Sequence, residues 1–455
     1  MGVITMERNL GFLLRDWLTA KDRKPLIIRG ARQVGKTWLV RRFAQQQNKQ
    51  LIELNFEKKP SAAQLFSSND PKEILRNIGA ANNQVIDPKQ SLLFLDEIQA
   101  VPILLSKLRW FAEDLSELPV MAAGSLLEFI LEQHEFSMPV GRISYAHLEP
   151  LSFEEFLAAK NQSILCEYLL DFNFDREIPE MIHQQLSSLF KEYLLIGGLP
   201  AAVSSWVEED SLIKINQIHH DLLTTYRDDF AKYRGRVPLE RLDEVLLAVP
   251  KMLGQKFVFR HVNSTLPTLA IKKAVDLLQT ARICHPVIST AANGVPLAAE
   301  ANKKFFKEIF VDSGLCCAAL GMNFNQLMST PEITLINHGG LAEQVAGQLL
   351  RTVEPFYIEP SLYYWQRDVK GSNAEIDYLL QHGNQVVPIE VKAGKTGTLK
   401  SLHLFMELKK FPIAVRVNSA LPSKVKIKNF HLLSIPFYLL GQIHRLLAVS
   451  HPTIF

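Results

Sequence analysis

The run Gly30-Ala31-Arg32-Gln33-Val34-Gly35-Lys36-Thr37 constrains this chain more than any other part of it. It fills every fixed position of the pattern G-x-x-x-x-G-K-[ST]. The apolar stretch from Pro25 to Ile28 before it predicts a strand, and residues 36–47 after it predict a helix. A strand, a glycine-rich turn and a helix start make a cradle for phosphate. The glycines let backbone N–H groups turn inward onto phosphate oxygens, and the helix N-terminus adds partial positive charge. Gly30 and Gly35 would shape this loop, Lys36 would reach the β- and γ-phosphates, and Thr37 would ligate Mg²⁺. The expected ligand is ATP with Mg²⁺.

A second motif supports the first. Leu92-Leu93-Phe94-Leu95-Asp96-Glu97 reads as a buried strand that delivers two carboxylates to its C-terminal end. Ligands bind at that end of open α/β sheets. Asp96 is expected to hold the metal, and Glu97 to orient or deprotonate the attacking water. Two further positions are candidates. Ser125 follows the strand predicted over Leu118–Ala123 and could touch the γ-phosphate, or simply cap the next helix. Arg142 could bring positive charge to a γ-phosphate in its own or a neighbouring subunit, or be a surface arginine.

With 455 residues, the chain is too long for one hydrophobic core. Strands and helices alternate up to about residue 150, which predicts a parallel sheet. Residues 152–235 read as helical, broken by Gly197-Gly198-Leu199-Pro200, and residues 336–455 return to a mixed pattern. The expected division is 1–158, 159–235, 236–330 and 331–455. A net charge of +3 points to no class of partner by itself. The four cysteines lack C-x-x-C spacing, so neither a zinc site nor a disulfide framework is expected. No apolar run is long enough to span a membrane, the N-terminus does not read as a secretory signal, and a cytoplasmic location is expected.

The phosphate cradle, Leu92–Glu97, Gly124-Ser125, Gly141-Arg142 and the run Leu148–Phe156 together resemble the prokaryotic AAA+-like ATPases related to the STAND class. That resemblance implies a five-stranded sheet with the P-loop strand in the middle, followed by a helical lid. It also implies that Gly198-Leu199-Pro200 is the lid element near the nucleotide, which makes Pro200 a candidate nucleotide-binding residue. Residues 255–290 suggest a winged-helix-like module. Lys304–Leu315 resembles a signature of the uncharacterised domain that follows such ATPases.

The last region carries a second constellation. Glu375–Leu380 and Val386–Val391 predict neighbouring strands. Glu390 and Lys392 are two apart and share a face, with Asp377 opposite them and Glu343 on a preceding helix. Three carboxylates and a lysine could bind Mg²⁺ and activate water beside a phosphodiester. The pattern is similar to the PD-(D/E)xK nuclease motif. A plain cross-strand Glu–Lys pair is the structural alternative. From Lys392 to Lys428 there are nine Lys or Arg against one acid, Glu407, a density able to neutralise phosphates.

The fold class expected is therefore α/β: a parallel AAA+-like P-loop sheet, a helical lid, a winged-helix-like module and a C-terminal mixed α/β nuclease-like domain. The activity expected is Mg²⁺-dependent ATP hydrolysis coupled to action on DNA or RNA. The alternative is an ATP-driven switch or remodeller that binds protein or nucleic-acid partners and cleaves nothing. A homo-oligomer is compatible with both.

Overall fold

The computed structural model describes residues 6–124, 127, 139–230, 237–322, 324–329, 339–369, 371–395 and 397–450. Its first sheet is built from β1 (Leu26–Arg29), β2 (Gln50–Asn55), β3 (Ser91–Asp96), β4 (Val120–Ala123) and β5 (Ser144–His147). All neighbours are parallel, in the order β2-β3-β4-β1-β5. The P-loop strand β1 is thus interior but not central, and β4 occupies the middle. Side chains alternate between the faces. Ile27, Leu93, Leu95 and Ala122 face one apolar cluster, and Leu26, Ile28, Leu92, Phe94 and Met121 face another. Both faces are covered, which is why these strands read as unbroken apolar runs.

A helical segment follows. It opens at Phe153–Ala159, where Ser152 and Glu155 form a reciprocal capping box. It continues through the helices Glu180–Ile196, Pro200–Glu209 and Leu212–Phe230. Gly197 takes φ +79° between the first two of these three.

The second sheet joins parts that the sequence suggests are separate. Strands β6 (Cys284–Thr290) and β7 (Ala301–Phe310) form an antiparallel pair beside the helix Thr268–Thr280. β6 also pairs in parallel with β8 (Leu362–Gln366). From there the sheet runs through β9 (Glu375–His382), β10 (Gln385–Val391), β11 (Ile413–Asn418), β12 (Ser423–Ile427) and β13 (Phe430–Pro436), in the order β12-β13-β11-β10-β9-β8-β6-β7. A boundary at 330/331 therefore cuts through a continuous sheet. One apolar cluster extends from Leu26 and Val40 through Phe190 and Leu315 to Val345 and Tyr378, so both sheets share a core. Among the described residues no helix is long and apolar enough to cross a membrane.

Candidate functional site

At the C-terminal edge of the first sheet, the expected cradle assembles. Leu148 N donates to Arg29 O at 2.8 Å, which brings this backbone so close to Gly30 that a Cβ there would lie 2.2 Å from Leu148 O. Only glycine fits. Gly35 has φ +93°, a left-handed conformation that again favours glycine, and it precedes the helix Lys36–Gln46. The loop is well fastened. Arg8 Nη1 donates to Val34 O at 2.8 Å, and the Arg32 guanidinium is paired with Asp229 at the end of the helix Leu212–Phe230. Tyr226 Oη on that helix donates to Arg32 O at 3.1 Å.

The charged groups converge as the motifs require. Lys36 is 8% exposed, and its Nζ donates to Gly30 O at 2.9 Å and Ala31 O at 2.7 Å. Thr37 Oγ1 lies 3.2 Å from Asp96 Oδ1, and Asn55 Nδ2 donates to Asp96 Oδ2 at 2.9 Å. Burial, then the neighbouring Glu97 carboxylate, pushes the Asp96 carboxyl above its usual range, against the hydrogen bonds from Asn55 and Thr37. A buried carboxylate beside a threonine hydroxyl and short of positive charge fits a divalent cation. Mg²⁺ would be held by Thr37 and Asp96. Glu97 follows β3 with φ +51°, a conformation a non-glycine residue adopts at a cost.

Pro200 lies beside the loop. A Cβ on Gly35 would sit 3.3 Å from Pro200 Cγ. Ser125 lies outside the described residues. Arg142 lies away from the cradle. It precedes β5, whose Ser144 lies opposite Leu26, so it sits at the N-terminal end of the sheet. Four residues of strand, about 13 Å, separate that end from the cradle, and Arg142 Nε pairs with Glu113 Oε1 at 2.7 Å. A contact with the nucleotide of its own subunit is excluded on this geometry.

The run Leu148–Phe156 proves to be a joint. Arg351, at the end of the helix Gly340–Leu350, grips Glu149 with two contacts of 2.8 and 3.0 Å. Burial alone would raise the Glu149 carboxyl, but Arg351, His285 and Arg282 bring it down to about 2. Arg8 Nε pairs with Glu155 Oε2 at 3.1 Å. Leu151 N donates to Gly198 O at 2.7 Å, and Gly198 N donates to Asp312 Oδ2 at 2.6 Å. Glycines 197 and 198 are there because Asp312 and the Leu151 backbone come too close for any side chain.

The second constellation also gathers, with an unforeseen member. Asp377 Oδ2 accepts from Val391 N at 2.7 Å, and Lys392 Nζ pairs with Glu390 Oε1 at 2.6 Å. Glu343 stands on the helix Gly340–Leu350. Lys307, from β7, reaches into this group. Its ammonium lies 3.0 Å from Glu343 Oε2 and 3.9 Å from Asp377 Oδ1, and it is paired with Glu375. The Tyr364 ring lies 5.4 Å away. Burial, then the Asp377 charge, raises the Glu343 carboxyl to about 8, and burial with Asp377 raises Glu390 to about 7. Lys307 itself is desolvated, yet Glu343, Asp377 and Glu375 hold it firmly charged. Among the described residues no three His, Cys, Asp or Glu side chains are arranged to hold a metal ion. The residues of the expected Mg²⁺ site, Glu343, Asp377 and Glu390, are thus gathered in one place, with a tethered ammonium standing beside Glu343 and Asp377.

Lys307 gave no warning in the sequence, where it follows Lys303 and Lys304 and resembles another surface lysine. The one signal is its place in Phe306–Phe310, all of whose residues are buried.

Comparison with known proteins agrees with the front of this picture. Residues 22–157 match an AAA domain family. Residues 187–326 and 338–438 match two domains of unknown function, DUF8612 and DUF4143. Among curated proteins none matches. Among solved structures, a Walker-type ATPase of Pyrococcus abyssi is 13% identical, covering 70% of this chain and 96% of that one, with a TM-score of 0.45. The ORC2 protein of Aeropyrum pernix, in ADPNP and ADP complexes, is 10% identical over 70% of this chain and 90% of its own, with a TM-score of 0.33. The ORC1 protein of the same organism, in complex with DNA, is 12% identical over 69% and 90%, with a TM-score of 0.28. The front part of the chain is an AAA-type P-loop ATPase domain, and it is followed by two domains of unknown function.

Proposed function

We propose that this chain is a Mg²⁺-dependent ATPase that works as a switch, and that its C-terminal sheet binds a nucleic-acid partner without cutting it. One observation carries the reading. The lid element Gly197–Pro200 touches the P-loop at Gly35 on one side and Asp312 of the rear half on the other.

Mg²⁺ would supply Lewis acidity and charge neutralisation at the transferred phosphoryl group. The chain's own residues do the rest. The loop amides and Lys36 bind the phosphates, Lys36 exchanging two carbonyl oxygens for phosphate oxygens. Thr37 and Asp96 orient the metal, with Asn55 fixing the Asp96 rotamer. Glu97 takes the proton of the attacking water. Any shift of the loop is felt by Arg32 and passes to Asp229 and the lid helix. It is also felt by Pro200 and passes through Gly198 to Asp312, where burial raises the carboxyl to about 6. Ordering of a segment around a γ-phosphate is a common switch.

Two features support binding without cleavage. Lys307 already neutralises carboxylates that a catalytic metal would draw on. Lys395, Lys400, Lys410, Lys424, Lys426 and Lys428 are exposed on the last domain and can meet backbone phosphates. The test uses purified chain with ATP, Mg²⁺ or Mn²⁺, and labelled DNA, RNA or unfolded polypeptide. ATPase stimulation by nucleic acid with the strand left intact is expected. Cleavage that disappears in Lys392→Ala would overturn the non-cleaving reading. Stimulation by polypeptide alone would replace the nucleic-acid partner with a protein.

A further inference from the structure

Between the two sheets lies a cavity of about 650 Å³ that the ATPase reading does not use. It is bounded by Arg29, the last residue of β1, by Arg282 just before β6 and His285 on it, by Lys303 on β7, and by Arg351 and Glu359. We propose that this cavity binds a small phosphate-bearing anion.

The charge count favours an anion. Four cations (Arg29, Arg282, Lys303 and Arg351) face two carboxylates, Glu359 on the wall and Glu149 behind it. Arg282 pairs with Glu359 at 2.7 Å and lies 3.9 Å from Glu149, and Arg351 holds Glu149. Lys303 has no ion pair among the described residues.

A second observation is independent of charge. His285 is buried, and its Nε2 has no hydrogen-bond partner among the described residues. A buried polar nitrogen left unmatched is costly, and it is matched when a ligand oxygen arrives. The site is also built for a small molecule. Arg282 and Arg351 are 4% and 6% exposed, too deep for the backbone of a duplex, which could reach only the rim. The volume is in the range of small-ligand pockets. Because Arg29 leads directly into Gly30, occupancy here would be felt at the phosphate cradle, and by linkage ATP would be felt here.

The test is calorimetric titration of pyrophosphate, inorganic phosphate and AMP into the full chain carrying Lys36→Ala, which weakens the P-loop as a competing phosphate site. Saturable binding is expected. Lys303→Glu, at an exposed position, should weaken it about tenfold, since it exchanges attraction for repulsion at the rim. Glu359→Gln should tighten it severalfold by removing a competing carboxylate. ATP turnover in the otherwise native chain serves as the folding control for both variants. The proposal is overturned if none of the probes binds below about 10 mM. It is also overturned if the affinities are the same in the parent and both variants, which would locate the binding elsewhere, or if only oligonucleotide binds.

Discussion

Replacing Lys307 with methionine keeps most of its volume and removes its charge, which makes it the sharpest probe of the rear domain. The ammonium sits 3.0 Å from Glu343 and 3.9 Å from Asp377. At an effective dielectric near 20, those attractions are worth about 5.5 and about 4 kcal/mol where the carboxylates are ionised, before desolvation is charged against them. Removing one side of a buried ion cluster costs about 3–5 kcal/mol, because uncompensated charges remain. With an unfolding entropy of about 2.1 cal/mol/K per residue over 455 residues, the melting temperature of the variant should fall by roughly 3–5 °C relative to the parent. The loss must depend on pH. Glu343 and Glu390 are raised, to about 8 and about 7, so the folded chain holds protons that the unfolded chain releases. Their contribution is fully present below about pH 4.5, and it is lost as pH rises through 7 and 8. Without Lys307 these carboxyls climb further, so the deficit should be small at pH 5 and large at pH 8.5. Thermal and urea unfolding of parent and variant across that window measure it. The variant should also gain saturable stabilisation from Mn²⁺ or Mg²⁺ through its freed carboxylates, while the parent without nucleotide should not. An equal deficit at both pH values, or a parent stabilised by metal in a way that Asp377→Asn removes, refutes the tethered-cation account.

Other outcomes follow from the same geometry. Lys36→Ala should lose at least tenfold in ATP affinity or turnover, about 1.4 kcal/mol, and unchanged hydrolysis would contradict the P-loop reading. Glu149→Gln leaves Arg351 half-paired and should cost about 3 kcal/mol at neutral pH. Since the Glu149 carboxyl is held near 2, its contribution is present above pH 4.5 and lost as pH falls toward 2, so parent and variant should converge in acid denaturation. Gly198→Ala would place a Cβ 2.4 Å from Leu151 O; melting temperature and ATP turnover should both drop, and a neutral result would mean that the lid contact is slack.

The sequence revealed the ATP site because its chemistry is local. Gly30–Thr37 and Leu92–Glu97 are each contiguous, and a buried parallel strand must bring its acids to one end of the sheet. β5 was not legible: Ser-Tyr-Ala-His is short and too polar to stand out, and it is a strand only because β1 accepts it on its edge. The place of Arg142 stayed open between its alternatives for the same reason, since its end of the sheet depends on the direction of β5. Glu390 and Lys392 were found through strand alternation, which is a local rule, with Asp377 on the neighbouring strand and Glu343 on the preceding helix. Lys307 was not, because its burial depends on β7 lying against elements far away in the chain. The meaning of Leu148–Phe156 was hidden similarly. Its residues bind Arg8, Gly198 and Arg351, and no local pattern announces partners so distant.

The placement of β6 between β7 and β8 bears on how this protein can be taken apart. A fragment beginning at residue 331 would retain β8 but lose the strand that covers its outer edge, leaving a row of unpaired amide and carbonyl groups open to other chains. It would also lose Lys307 and leave the acids it neutralises facing one another. Such a fragment should aggregate, whereas one that starts ahead of Thr268 keeps the helix and both strands. The unit that can be inherited or transplanted whole is therefore larger than either of the sequence families that tile it.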